Sequence, residues 1–218
     1  MSRDDAVTPR EFGGDFQLEL EDLIRWRRDV RRFRTDPVPD DLLHRLLSLA
    51  DLSPSVGNSQ PWRIVKVASP ERRDAVRQNF ETQNAQAGKY YQGQQAQAYA
   101  RLKLAGLSEA PVHLAVFSEE APEQGHGLGR ATMPETLAYS TVGMIQTLWL
   151  AARSHGIGLG WVSILDAKAV TTTLEVPRHW RFIAYLCLGY PQEEHVDPEL
   201  ERHDWQERTD FARRMFER

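Results

Sequence analysis

The chain has 218 residues, 41% hydrophobic and 27% charged, with 27 Lys plus Arg against 31 Asp plus Glu and a formal net charge of −4. That length supports one large domain or two small ones around a sizeable core, and the composition is that of a globular protein rather than a disordered or collagenous one. An acidic total argues against general nucleic-acid binding. The single cysteine, Cys187, excludes an intramolecular disulfide framework and fits a reducing cytoplasm. No apolar run approaches the roughly 18–20 residues of a membrane span, and the first ten residues lack the apolar core of a signal peptide.

In chain order, residues 1–16, with Gly13 and Gly14, predict a flexible arm ahead of a single domain over 17–218. Residues 17–28 have helical character, with Leu18, Leu20, Leu23, Ile24 and Trp26 among acidic positions. Pro37 and Pro39 break the chain, and Asp40 is expected to cap the next helix, whose Leu42, Leu43, Leu46, Leu47, Leu49 and Ala50 recur at helical spacing. Two prolines, a glycine and short polar side chains make 53–62 a loop, and Ile64, Val65 and Val67 a strand. Residues 71–106, rich in Gln, Ala, Gly and Tyr, can be helical yet carry a weak apolar stripe. Such a segment reads equally as a mobile lid or as a solvated excursion.

Pro111 opens a strand over Val112–Phe117, followed by a loop over 118–134 that contains Gly125, Gly127 and Gly129. The helix at 135–155 is the most apolar, with one face marked by Leu137, Thr141, Ile145, Leu148 and Ala152 and widened by Ala138, Val142, Trp149 and Ala151. Apolar over so much of its girth, it is a central core helix or a subunit-interface helix. Gly156 and Gly158 end it. Residues 158–164 form a strand whose glycines permit close approach of a backbone or a ligand. A short helix near 166–174, a last core strand at Phe182–Tyr190 and a polar tail carrying Trp205 and Arg208 complete the chain. About four strands alternating with helices indicate α/β or α+β architecture. Cys187 lies in the last strand and reads as inert packing.

Residues 25–34 hold six arginines around one aspartate, Asp29. The segment reads as a solvated helix face, as a phosphate site built from planar arginine forks, or as a nucleic-acid contact. No second basic patch follows, which weakens the last reading. The surrounding positive charge is expected to favour ionised Asp29. There is no P-loop, and Gly125-x-Gly127-x-Gly129 lacks the spacing of a dinucleotide turn. The seven histidines show no metal-ligand spacing. Ser-His-Asp catalysis is not excluded by spacing, but no Gly-x-Ser-x-Gly elbow is present.

Several stretches together carry a resemblance: Arg27-Arg28-Asp29-Val30-Arg31, Pro54-Ser55-Val56-Gly57, Gln60-Pro61-Trp62, Leu104-x-Gly106-x-x-Glu109-Ala110-Pro111-Val112, Tyr139-Ser140-Thr141-Val142, Gly158-x-Gly160-Trp161-Val162-Ser163-Ile164 and Tyr185-Leu186-Cys187-Leu188-Gly189-Tyr190. From about residue 18 to about 208 the chain resembles the FMN-binding nitroreductase superfamily, and within it the 5,6-dimethylbenzimidazole synthase branch. Aspartate at 29, where ordinary nitroreductases commonly carry serine, and Trp161-Val162-Ser163-Ile164 discriminate most. Arg32 departs from the acidic residue expected in that branch.

The resemblance implies an α+β sandwich with a central mixed sheet flanked by helices, an entwined homodimer, and a cytoplasmic enzyme without metal, nucleic-acid or membrane partners. It implies that reduced FMN, supplied by a flavin reductase, is the substrate and is cleaved with dioxygen to 5,6-dimethylbenzimidazole and erythrose 4-phosphate for the lower ligand of vitamin B12. Asp29 and Ser163 are then catalytic. Flavin contacts come from Arg27, Arg28, Asp29, Val30, Arg31, Ser55, Gly57, Leu104, Trp161, Val162, Ser163 and Arg208. In this reading Arg27, Arg28, Arg31 and Arg208 hold the phosphate, and Arg25, Arg32 and Arg34 are surface or ion-paired. Gly57 leaves room above the ring, Leu104 covers it, and Gln60 and Trp62 are structural. A conventional FMN-dependent NAD(P)H nitroreductase or reductive dehalogenase is the alternative, and a non-catalytic flavin- or RNA-binding module stands third.

Overall fold

A computed structural model describes residues 9–102 and 106–218. Helix α1 (Gly14–Trp26) starts inside the stretch read as an arm and buries none of its residues. Helix α2 (Asp40–Ala50) buries Leu43, Leu46 and Ala50, the inward positions of its helical repeat. Its N-cap is Pro39 rather than Asp40, which instead places a carboxylate in the first turn and pairs with Lys66 at 2.7 Å. Strand β1 (Trp62–Lys66) ends one residue short of Val67. Helices α3 (Pro70–Ala87), α4 (Gly93–Arg101) and the single turn α5 (Gly106–Glu109) fill the glutamine-rich stretch, and α3 buries only Val76 and Phe80.

Strand β2 (Val112–Glu119) is buried along its whole length, as a central strand must be. Helix α6 (Thr136–Ser154) buries Leu137, Thr141, Met144, Ile145, Leu148 and Ala152, matching the face read from the sequence with Met144 added. It packs on α1, α2 and the sheet, so it is a core helix, while Tyr139 and Val142 leave part of its other face exposed. Strand β3 (Gly158–Val162), helix α7 (Ala167–Thr173), strand β4 (Trp180–Gly189) and the single turn α8 (Glu199–Arg202) follow.

The sheet runs β1-β2-β4-β3, and every ladder in it is antiparallel. The mixed sheet expected from the resemblance therefore reduces, among the described residues, to one parallel bridge between Asp29 and Leu159. Alternation on the strands separates two cores. Val112, Leu114, Val116, Ala184, Leu186 and Leu188 face α2 and α6. Ala115, Phe117, Tyr185 and Cys187 face α3 and α7 together with Phe33, Val76 and Phe80. Cys187 is 1% exposed, and burial pushes its thiol up to about 12, which makes it packing rather than a nucleophile. Among the described residues no helix is long and apolar enough to cross a membrane.

Candidate functional site

Strand β3 is an edge strand, and the arginine segment is laid against it. The Val30 amide donates to the Leu159 carbonyl at 3.0 Å, and the Trp161 amide donates to Asp29 Oδ1 at 2.9 Å. The glycines of β3 make this possible. A Cβ on Gly160 would lie 2.2 Å from the Val30 carbonyl oxygen, and one on Gly158 would lie 2.8 Å from Val30 Cγ2. The close approach read from Gly158 and Gly160 is thus made by the chain's own backbone. Helix α6 holds the segment from behind: Trp149 Nε1 donates to the Arg28 carbonyl at 3.2 Å, and the Arg27 guanidinium stacks 4.8 Å from the Trp149 ring centroid.

Asp29 keeps 34% of its side-chain surface accessible although it is set deep among protein atoms. Burial raises its carboxyl above the ordinary aspartate value, outweighing the Trp161 amide and Arg31, which lower it, and Glu199 adds to the rise. The expectation that neighbouring arginines would dominate its charge is corrected here: desolvation wins. Oδ1 is tied to Trp161, and Oδ2 accepts from Arg31 Nε at 3.2 Å.

The arginines divide by what they touch. Arg25 pairs with Asp22, Arg32 with Glu193 and Arg34 with Asp36. Arg31, 14% exposed, faces both Asp29 and Glu199. Arg27, Arg28 and Arg208 form a separate group. Burial lowers the pKa of Arg27 and Arg28, and Arg208 lowers both further by like-charge repulsion. Asp29 offsets this at Arg27, and Asp197 and Glu201 at Arg28. Arg28 spends Nε on the Val196 carbonyl at 2.6 Å and Nη1 on the Arg27 carbonyl at 2.8 Å, and an oxyanion near the three guanidiniums would relieve their mutual repulsion through charge-assisted bonds. Arg208 is anchored by its own amide, which donates to Glu201 Oε1 at 2.7 Å.

Val162 is buried at the end of β3, Trp161 is half-buried, and Ser163 is exposed just beyond the strand. Leu104 lies outside the described residues. Ser55 and Gly57 are not brought to the arginines. Their loop rests on the opposite half of α6, where the Val56 amide donates to Ser140 Oγ at 3.0 Å. Ser140 and Trp149 are about 13 Å apart along the helix. Within the loop Ser55 Oγ accepts from the Gln60 amide at 3.0 Å, and Trp62 Nε1 donates to Asp51 at 2.8 Å, so Gln60 and Trp62 pin the loop to the body.

Gly57 has φ +58°, and a Cβ there would meet the Gly125 carbonyl oxygen at 2.9 Å. A Cβ on Gly125, at φ +86°, would meet the Gly57 carbonyl oxygen at 2.8 Å. Gln124 Nε2 completes this clasp by donating to the Asn58 carbonyl at 2.6 Å. The space beside Gly57 is therefore filled by the 118–134 loop.

Sequence reasoning missed three contributors. Trp149 was visible as an indole on the most apolar helix, and the clasp loop as a triplet of glycines. Glu199, in a polar tail, gave no signal. Tyr91 and Tyr99 stack at 4.7 Å and Trp205 meets Tyr91 edge-on at 5.1 Å, so the glutamine-rich segment is joined to the tail three residues before Arg208.

The nitroreductase family pattern matches residues 24–190. The chain belongs to the nitroreductase family. Among its members, a Rhodospirillum rubrum protein named 5,6-dimethylbenzimidazole synthase is 56% identical over 197 residues, covering 90% of this chain and 93% of that protein. A Rhodobacter capsulatus protein of the same name is 51% identical, covering 89% and 95%. A solved structure of oxidised iodotyrosine deiodinase bound to FMN and 3-iodo-L-tyrosine is similar in architecture, with a TM-score of 0.69 at 27% identity over 81% of this chain and 91% of that one. Family membership and that flavin-bound neighbour support FMN as the bound group.

Proposed function

We propose that this protein is a 5,6-dimethylbenzimidazole synthase, taking reduced FMN as its substrate and, with dioxygen, cleaving it to 5,6-dimethylbenzimidazole and erythrose 4-phosphate. Identity of 56% over 90% of the chain to a protein of that name supports the reaction. The single observation in the fold that carries it is Asp29. This carboxylate is held by one oxygen on the Trp161 amide and raised toward protonation by burial, beside the repelling arginines that suit a phosphate. A carboxyl poised nearer neutrality is suited to move a proton.

Bound flavin supplies the oxidisable ring and the ribityl phosphate chain. Arg27, Arg28 and Arg208 hold the phosphate. Asp29 holds or releases a proton at Oδ2, the oxygen not committed to Trp161, and Arg31 acts on Asp29 rather than on the phosphate. Ser163 offers its hydroxyl to the ring edge. Val30, Trp161 and Val162 form the wall of the site.

The protein works as a homodimer in this reading. Several apolar residues of α1, including Leu18 at 63% and Ile24 at 52% exposure, are left uncovered by the described residues of one chain. Ser55 and Gly57, displaced along α6, would serve the site of the other copy. A separate flavin reductase in the cytoplasm supplies reduced FMN.

The test mixes purified protein with photoreduced FMN, admits air and analyses the products by liquid chromatography and mass spectrometry. A benzimidazole product that needs the enzyme and disappears in Asp29→Asn is expected. Quantitative return of oxidised FMN would overturn the proposal, and NAD(P)H oxidation with nitro or halogenated acceptors would then be the activity to pursue.

A further inference from the structure

Behind Asp29 lies a second carboxylate outside the set that would touch flavin. Glu199 sits at the start of α8 with 9% of its side chain exposed. Its Oε2 is 3.8 Å from Arg31 Nε, the nitrogen that also donates to Asp29 Oδ2 at 3.2 Å. Its Oε1 is 3.7 Å from Arg32 Nη2 and 3.6 Å from His203 Nε2, and among the described residues it has no hydrogen-bond partner. A buried anion ringed by three basic groups, none within hydrogen-bond reach, acts through its field rather than through a directional bond.

Arg31 therefore serves two carboxylates with one guanidinium. Any pull that Glu199 exerts on Arg31 is taken from Asp29, and the negative charge of Glu199 itself disfavours a second negative charge at Asp29. Both effects have the same sign. The other charged groups facing Asp29 are Arg27, which opposes them, and Arg31 itself; Arg32, His203 and, through Arg32, Glu193 face Glu199.

We infer that Glu199 is a positioning residue that shares Arg31 with Asp29 and thereby keeps the Asp29 proton available for the reaction. The inference rests on the proposed role of Asp29 in proton transfer. Glu199 touches no flavin in this scheme. It sets the charge of the group that does.

The experiment follows the side-chain carboxyl carbon-13 resonances of the full-length, ligand-free protein against pH, with Asp29→Asn used to assign the Asp29 signal. In Glu199→Gln, which keeps the shape and removes the charge, the Asp29 midpoint is expected to fall by half a pH unit or more, about a threefold loss of proton affinity. Glu199→Asp, which keeps the charge, should restore most of it. Arg31→Lys, whose single ammonium cannot span both carboxylates, should move the midpoint the opposite way, and it keeps the test decisive if Glu199→Gln does not fold. An acid limb of the product-formation profile that shifts with the midpoint would complete the case. Midpoints unchanged in Glu199→Gln, or in Arg31→Lys where that is the variant that folds, overturn the inference while leaving the proposed reaction intact. Product formation that survives Asp29→Asn overturns the reaction, whichever way the resonance moves.

Discussion

Replacing Gly160 with alanine tests whether the arginine segment is placed by β3. The new Cβ would stand 2.2 Å from the Val30 carbonyl oxygen, whereas 3.0 Å is the floor for real contacts, so one backbone must retreat by about 0.8 Å. Neither side is a flexible tip. Two bonds depend on the contact: Val30 N–H to Leu159 at 3.0 Å, and Trp161 N–H to Asp29 at 2.9 Å. Overpacking of this kind costs about 1–3 kcal/mol, and weakening the two bonds adds about 1–3 kcal/mol. A loss of about 2–6 kcal/mol is expected, read from urea unfolding. The functional loss should be larger, because a displacement near an ångström at a reacting group costs about 10²-fold in rate. Gly158→Ala is the internal control. Its Cβ would meet Val30 Cγ2 at 2.8 Å, a side chain that can turn away. Its losses should be several-fold smaller, both in unfolding free energy and in the yield of benzimidazole from reduced FMN. Equal behaviour of the two variants, or a Gly160→Ala protein with unaltered product yield, would refute the placement of Asp29 by backbone contact.

Three further outcomes are expected. His113 is 1% exposed with its Nδ1 2.9 Å from the Tyr185 hydroxyl, and burial, aided by Arg73, pulls its pKa to about 4. Because the folded value lies below the unfolded one, this contribution to stability is full above about pH 6.5 and is lost as the pH falls toward about 4, by about 3 kcal/mol. His113→Gln should flatten the decline in urea midpoints over that range, and an unchanged slope would contradict the argument. Inorganic phosphate should raise the melting temperature of the wild-type protein by mass action, with at least tenfold more needed in Arg208→Ala; indistinguishable responses would remove Arg208 from the anion site. Gly57→Ala, at φ +58° and against two carbonyl oxygens, should cost about 2 kcal/mol in thermal or chemical melts, while Gly13→Ala, with nothing within 4 Å, should cost little. Equal melts would mean that the loop clasp is not a tight contact.

Periodicity made most of the scaffold legible. The inward faces of α2 and α6 follow a 3.6-residue repeat that survives packing, and β2 and β4 declare themselves by largely apolar runs. Pairing was not legible, since no residue on a buried strand names its neighbour or its direction. The arginine stretch was conspicuous, but its division was not. Arg31 turns to a carboxylate 168 positions away, and Arg208 joins Arg27 from the far end of the chain. The charge of Asp29 was misjudged for a related reason. Adjacent arginines can be counted in a sequence, whereas the depth at which a carboxylate sits comes from the segment being laid against β3. Gly57 is the third case. Its neighbour Gly125 lies in a loop whose glycine spacing matched no known phosphate turn, and only the fold shows that the spacing serves a loop on its own chain.

The pairing of Gly57 with Gly125 also bears on how such a protein can vary over time. Each residue's carbonyl occupies the volume that the other's methyl group would need, at 2.9 and 2.8 Å. Neither position can drift first and be rescued by the second, because a change at either leaves the obstructing oxygen in place and a double change adds a second obstruction. Surface loops ordinarily absorb insertions and deletions freely, but the 118–134 loop has no such latitude around Gly125. Lengthening it there would be felt at Gly57, nearly seventy residues earlier. The two loops must therefore be inherited as a matched set, and exchanging one with a relative without the other should yield a protein that assembles poorly.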